Sequence, residues 1–593
     1  MSGVTPRSAP PFRAELGLLA LLAGVWIAPW SALTIAAWVA GGRPSTSPLD
    51  FVNPARIARQ LELDRGSFVW WHLVGAYGDL RAWLFWLALA ATVVIPVSCV
   101  LLSRGMRHRL RHFRLWFQAS DDSVPRASRW ATTTDLRDLS VRRPRQGSFT
   151  LGRRAHRLIA TEPETSVLVV GPTRSGKTSG LVITNLFEWE GPAIVTSTKS
   201  ELVDITAAHR QSLGPVYVYD PAGELGDRIQ GIAWSPLDGC DDLDRAWRVA
   251  TWLCAGLQQT GSRGDNDWAH WSESGKLLLA PLLFAAARTN RTILDVHDWI
   301  HAFDTATPAA LIGDLLFEPQ GAASGDPYRA SSMLHAIDQR PEKERGTVFS
   351  TVMRIFSAFN ERAVAESALT CQLNPEDFLT RRGTLYLCTP RQSPERIATL
   401  FVGVLMSIVT AAYSMADKLT NDRAHANGAL GLFLDEIANV VPVEELPALA
   451  SQGAGRGVVL MSVVQDLSQL RTRYGQDRAY SIVNNHACKV VLPGVSDPET
   501  NDVLSRIIGR GEFTDVAVNH GGDGKVGRTY SVRHDSMAAP DALRQLRTGS
   551  AIVVNRGRPP AVVRLRPWYS DRRFRRFAER HYLKNADYAQ RPG

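Results

Sequence analysis

Gly171, Gly176, Lys177 and Thr178 stand in the order G-x-x-x-x-G-K-T, within the run Gly171, Pro172, Thr173, Arg174, Ser175, Gly176, Lys177, Thr178. That spacing suits a phosphate cradle. Glycines let backbone N–H groups turn inward around phosphate oxygens, and the N-terminus of a following helix adds partial positive charge. Lys177 is placed to reach the β- and γ-phosphates, and the Thr178 hydroxyl to ligate Mg²⁺. All eight residues are expected to line a site for ATP and Mg²⁺. An apolar, β-branched run, Val167–Val170, leads into the loop, and Leu181, Thr184 and Leu186 follow at helical spacing. Strand, loop and helix is the context such a loop requires.

A triphosphate site also needs carboxylates. Ala429–Leu434 reads as an apolar strand that ends in Asp435-Glu436. Asp435 is expected to hold the Mg²⁺ shell, and Glu436 to polarise the attacking water. Another strand, Val458–Val464, ends at Gln465. A polar residue there serves either as a sensor of the γ-phosphate that orients water or as an ordinary strand cap. Arg456 sits just before that strand, in G-A-G-R-G. It reads either as a turn residue or as a finger on a neighbouring subunit's nucleotide, worth ~10³–10⁵ in rate. The expected catalytic set is Lys177, Glu436, Arg456 and Gln465, with Thr178 and Asp435 on the metal.

The elements that must position these groups follow from patterning. Ala193–Thr196 and Val216–Tyr219 read as further strands, and Thr384–Cys388 as another after Arg382-Gly383. Strands separated by helices point to a parallel α/β sheet. Between the second and third of these, 241–369 reads as mostly helical, an insertion that leaves the sheet and returns to it. Ile397–Met415 is a long apolar helix between sheet strands, expected in the core rather than in a bilayer. Expected boundaries are 103–240 for a basic linker and the first part of the ATPase domain, 241–369 for the all-α insertion, and 370–563 for the second part.

The N-terminal region is of another kind. Residues 16–40 and 83–102 carry no charge and are each long enough to cross a hydrocarbon core of ~30 Å. They are expected to be two transmembrane helices, with 1–15 cytoplasmic and 41–82 external. Arg104, Arg107, Arg109, Arg111 and Arg114 follow the second span at once, which puts everything after it in the cytoplasm by the positive-inside rule. The formal net charge is +9, and arginines crowd 104–157. The first cluster is expected on anionic lipid headgroups. For the later ones, lipid and a nucleic-acid path are both open. The six cysteines show no paired or metal-ligand spacing, so neither disulfide nor zinc is expected. In the tail, 564–593, arginines alternate with Trp568, Tyr569, Phe574 and Phe577. It reads as an amphipathic helix docked on the preceding domain, with a stacking, nucleic-acid-binding tail as the alternative.

Together these segments resemble the type IV secretion coupling proteins, the TraG-like and TraD-like conjugation ATPases. The resemblance is carried by G-P-T-R-S-G-K-T, by T-K-S-E-L after the second strand, and by D-W-A-H-W-S-E-S-G-K-L-L-L in the helical region. It continues through G-T-L-Y-L-C-T-P, L-F-L-D-E-I-A-N and, most specifically, G-R-G-V-V-L-M-S-V-V-Q-D-L-S-Q-L-R-T-R-Y-G. It implies two transmembrane helices followed by a RecA-like P-loop NTPase domain with an inserted all-α domain, assembled as a homo-hexamer at the bacterial inner membrane. It further implies ATP hydrolysis coupled to delivery of a substrate to a secretion channel. The cargo that the resemblance implies is DNA, expected single-stranded and bound without sequence preference, carrying a relaxase. Protein effectors are the alternative cargo, and a chromosome-segregation translocase or a non-enzymatic scaffold are less favoured readings. By position, Gln465 matches the family's strand-end residue and Arg456 its candidate arginine finger. Two positions depart from the pattern. Arg174 stands where the family often has Gly, and Ser197 where it often has Asp, which leaves Lys199 and Glu201 outside the catalytic set.

Overall fold

The structure, a computed structural model, describes residues 128–197, 200–226, 230–255, 265–317, 325–389, 396–418, 428–520 and 526–579. The expected transmembrane segments and Lys199 lie outside the described residues.

Val167–Val170 forms β4, and all four of its residues are buried. A wholly buried β-branched run is what a central strand of a parallel sheet requires. Its side chains alternate between two cores: Leu168 and Val170 join one apolar cluster, Val167 and Val169 the other. Around β4 the parallel strands are β5 (Ala193–Ser197), β6 (Val216–Tyr219), β7 (Thr384–Cys388), β8 (Leu430–Leu434), β9 (Val458–Val464) and β10 (Cys488–Val491). Five antiparallel strands extend the sheet: β1 (Ser140–Val141), β2 (Thr150–Arg154), β3 (Arg157–Ala160) and the late pair β13 (Ser550–Asn555) and β14 (Ala561–Arg564). With that pair the sheet is 12-stranded, in the order β1-β3-β2-β14-β13-β10-β4-β9-β8-β5-β7-β6. A separate hairpin pairs β11 (Arg510–His520) with β12 (Val526–Ser536). The strands expected at Val167–Val170, Val216–Tyr219, Thr384–Cys388 and Val458–Val464 all form with those bounds.

The order places the chemistry. β9 and β8 stand between β4 and β5, so the chain must jump two strands after leaving β4. Such a jump opens a crevice at the carboxyl ends of the strands, the usual ligand position in open α/β sheets. From β6 to β7 the described chain is helical, including Leu243–Ala255, Asp265–Arg288 and Glu342–Phe356. Its Leu253, Leu279 and Phe349 belong to the same buried cluster as Leu168 and Val170. The helix Ala398–Lys418 is long and apolar enough to cross a membrane by length and composition, yet most of it is buried, from Ala398 through Val409. It packs tightly: a Cβ on Gly403 would fall 2.7 Å from the Trp234 ring. The core position expected for this helix is the one it takes.

After β4 the loop runs into a π-helical turn, Thr178–Val182, and then α1, Ile183–Glu188. The next helix, α2, is Glu201–Gln211. The end of the described chain folds back onto both. Beyond β14, Leu565 and Arg566 are buried, and Asp571 caps the helix α3, Arg572–Ala578, by accepting from the Arg573 N–H at 3.0 Å. Phe574 stacks on Phe187 of α1 at 5.4 Å, and Phe577 on His209 of α2 at 4.0 Å. Arg566 pairs with Glu188 of α1, with both side chains under a tenth exposed. Glu188 also accepts from the Thr150 hydroxyl at 2.9 Å. Removing one partner of a buried pair leaves the other charge without compensation, so Arg566→Ala is expected to destabilise the fold by about 3–5 kcal/mol. Chemical denaturation reads this directly; an unchanged midpoint would show that the pair is solvated.

Candidate nucleotide site

The loop after β4 is held by close packing. The Gly171 N–H donates to the Val464 carbonyl at 3.1 Å, tying the loop to β9. A Cβ on Gly171 would lie 2.7 Å from the Leu492 Cβ and 2.8 Å from the Ser175 Oγ. Only glycine fits there. The Ser175 hydroxyl donates to the Pro172 carbonyl at 2.7 Å and closes the turn. Gly176 has φ +91°, a left-handed backbone that suits glycine. Arg174 also has a positive φ, +62°. A glycine would adopt this backbone freely, and Arg174 adopts it at some conformational cost. Gly171→Ala is expected to abolish nucleotide binding, because the neighbouring atoms belong to a buried leucine and to the loop itself. Titration with a fluorescent nucleotide tests this; wild-type affinity would mean that the loop tolerates the shift.

Lys177 is only 6% exposed, and its Nζ donates to the Gly171 carbonyl at 3.2 Å, so the ammonium group lies across the loop. Thr178 begins the π-helical turn, and its hydroxyl donates to Asp435 Oδ2 at 2.9 Å. A π turn so near a ligand site is a recurrent functional feature. Asp435 follows β8 and is anchored from β5, where the Thr196 hydroxyl donates to its carbonyl at 2.7 Å. Burial pushes the Asp435 carboxyl pKa up, while the Thr178 hydrogen bond and the Lys177 charge oppose the shift. Its other oxygen, Oδ1, is buried with no hydrogen-bond partner. One buried carboxylate oxygen without a partner, beside a hydroxyl, is a donor set that suits a hard divalent cation such as Mg²⁺. A cation there would also favour the charged carboxylate.

Glu436, next along, has φ +53° and ψ +44°. Left-handed backbone in a non-glycine residue is strained, and such strain concentrates at functional sites. Gln465, after β9, directs its amide at Glu436 Oε1 across 3.5 Å, and its own N–H donates to the Gln469 side chain at 3.1 Å. Thr173, Arg174, Gly176, Lys177, Thr178, Asp435 and Glu436 line one open cavity of about 290 Å³. Ser179, Glu201 and Leu202 share that lining. Glu201 is expected outside the catalytic set, and neither Ser179 nor Thr196 is among the residues expected at the site. The signals for Glu201 are its place after β5, across the strand jump, and the T-K-S-E-L run that contains it.

Arg456 is the expected residue that the fold sets apart. It ends a 3₁₀ turn, Gly453–Arg456, at the start of β9, whereas Gln465 follows that strand's other end. Seven extended residues span about 20 Å. The guanidinium lies 5.1 Å from the Tyr413 ring centre, and its Nε is 3.8 Å from Asp417.

The fold has counterparts among known proteins. A family model described as "Type IV secretory system Conjugative DNA transfer" matches residues 119–591. The conjugal transfer protein TraG of Escherichia coli is 26% identical over 401 residues, covering 63% of this chain and 60% of that protein. The protein VirD4 of Rhizobium radiobacter is 24% identical over 435 residues, covering 70% of this chain and 58% of that protein. The chain thus spans about three-fifths of the length of these relatives. Among solved structures, the unbound conjugative coupling protein TrwBdeltaN70 superposes with a TM-score of 0.56 at 17% identity, covering 74% of this chain and 93% of that one. TrwB in complex with ADP and Mg²⁺ gives 0.54 at 17% identity, covering 74% and 94%. At such identity the likeness establishes the fold.

Proposed function

The chain belongs to the type IV secretory system conjugative DNA transfer family, and on that premise we propose that it is a membrane-anchored ATPase that recruits a DNA–relaxase substrate and drives it towards a secretion channel. The observation that carries the reading is the hydrogen bond between Thr178 and Asp435, two residues 257 apart in sequence, with Lys177 alongside and Oδ1 of Asp435 left over. A site that only bound phosphate would not need a buried carboxylate there.

In this reading the backbone N–H groups of 171–178 bind the phosphates, and Lys177 bridges to the terminal one. Thr178 and Asp435 hold Mg²⁺, which when bound neutralises charge on the phosphate oxygens. Glu436 accepts a proton from the attacking water, and Gln465 holds the Glu436 carboxylate in place and reports on the terminal phosphate. Arg456 acts on the nucleotide of the next subunit in a hexameric ring. Segments 16–40 and 83–102 anchor the protein in the inner membrane, and the helical run 241–369 is an inserted all-α domain. The alternative cargo, a protein effector, uses the same motor.

The test is transfer itself. Cells carrying Glu436→Gln in place of the wild-type chain should lose DNA transfer, and the purified variant should retain nucleotide binding while ATP turnover falls by about 10²–10⁴. Undiminished turnover would remove Glu436 from the mechanism. Lost turnover with normal DNA transfer would detach hydrolysis from transport.

A further inference from the structure

The arginines between 142 and 157, left open between lipid and nucleic acid by the sequence, acquire a definite arrangement in the fold. β1 pairs with β3 so that its last residue, Val141, opposes Leu158, and Arg142 is the next residue along the chain. Arg157 of β3 opposes Arg154 of β2, and Arg153 opposes Arg564 of β14. Three neighbouring strands therefore place arginine against arginine at the same end of the sheet, and Arg142 follows the end of a fourth, β1. Like charges directly opposite each other are destabilising. Among the described residues, none of Arg142, Arg154, Arg157 and Arg564 has a carboxylate within ion-pair distance. At the other end of the same strands, Arg558 pairs with Glu162 at 2.8 Å, so arginines on this sheet are not unpaired by default.

A second segment joins the row. Arg153 lies 3.6 Å from Asp571, which ties the hairpin tip to the start of α3. From α3, Arg572, Arg575 and Arg576 are exposed and likewise lack a carboxylate partner, while Phe574 is buried. Tyr569, just before, is 57% exposed.

We propose that this arginine rim docks on the anionic headgroups of a lipid bilayer, which holds the ATPase domain against the membrane surface. Three observations favour a flat lipid surface over a nucleic-acid strand. Arg153 and Arg154 point to opposite faces of the sheet, as successive strand residues must, so one strand of nucleic acid laid on either face meets only half of the set. A plane that meets the strand ends contacts both halves. The rim belongs to the first strands after the expected spans and their own arginine cluster. The exposed Tyr569 beside it is a residue type suited to the headgroup layer. The inference rests on the membrane-anchored reading above, and the two are separable by experiment.

The full chain is reconstituted in vesicles of phosphatidylcholine alone, or of phosphatidylcholine with phosphatidylglycerol, and amide hydrogen exchange is followed at 140–160 and 564–578. Exchange at the rim should slow by at least about fivefold with phosphatidylglycerol, the factor that a single arginine near an anionic surface contributes. High salt should remove the effect, and so should Arg142→Glu, Arg154→Glu and Arg157→Glu combined. Equal exchange in both vesicles overturns the proposal, with no variant needed. Protection by added single-stranded DNA in neutral vesicles, without protection by phosphatidylglycerol, overturns it in favour of nucleic acid. Failure of the chain to float with neutral vesicles would instead overturn the anchoring reading, and lipid-dependent protection in the anionic ones would still decide the rim.

Discussion

Lys177→Ala is expected to eliminate ATP hydrolysis, with turnover reduced by at least about 10²–10³, and to eliminate transfer with it. The reason is the preorganised position of its charge. The ammonium group lies across the loop on the Gly171 carbonyl and is 6% exposed, so it faces the phosphate position from a site that excludes most water. A charge held there needs no rearrangement when negative charge builds on the transferred phosphoryl group. The loop backbone is also held by two bonds that do not involve the lysine, from the Gly171 N–H to the Val464 carbonyl and from the Ser175 hydroxyl to the Pro172 carbonyl. The variant should therefore melt within a few degrees of wild type, and phosphate release separates the lost chemistry from lost folding. Wild-type turnover would refute the motor reading as a whole.

Arg456→Ala should be the second large loss, about 10³–10⁵ in turnover, with nucleotide affinity nearly unchanged. About 20 Å of β9 separates Arg456 from the loop of its own chain. The residue lies at the surface, half exposed over Tyr413 and near Asp417, from which it is free to extend. In the proposed ring, a guanidinium so placed would act on the nucleotide of another subunit. Mixing Arg456→Ala with Lys177→Ala chains supplies the decisive measurement. Each mixed interface that joins an intact loop to an intact arginine should hydrolyse ATP, so the mixture should recover activity that neither variant has. No recovery, together with lost assembly in sedimentation, would make Arg456 an interface residue with no role in turnover.

The two cases differ in how much of their chemistry could be read along the chain. β4, β6, β7 and β9 were legible to the residue, because a continuous apolar, β-branched run bounded by glycine, proline or charge has few alternatives to a buried strand. The docked character of 572–578 was legible in the same way, from aromatics at helical spacing. The π turn at Thr178–Val182 was not, since its composition is that of an ordinary helix. Nor was the left-handed backbone of Glu436, where the side chain argues against the conformation that the turn imposes. Glu201 was passed over because the segment around it departs from a familiar pattern, although the strand jump brings it to the cavity.

The phosphate loop is determined by sequence alone, because its glycines, lysine and threonine act through backbone geometry within eight residues. The partners of that loop are determined by the sheet. Thr178 meets Asp435 because β8 lies one strand away from β4, across β9, and Arg456 is set far from its own loop because β9 runs parallel to β4. Strand order and register come from packing among segments hundreds of residues apart, a property that no local pattern encodes.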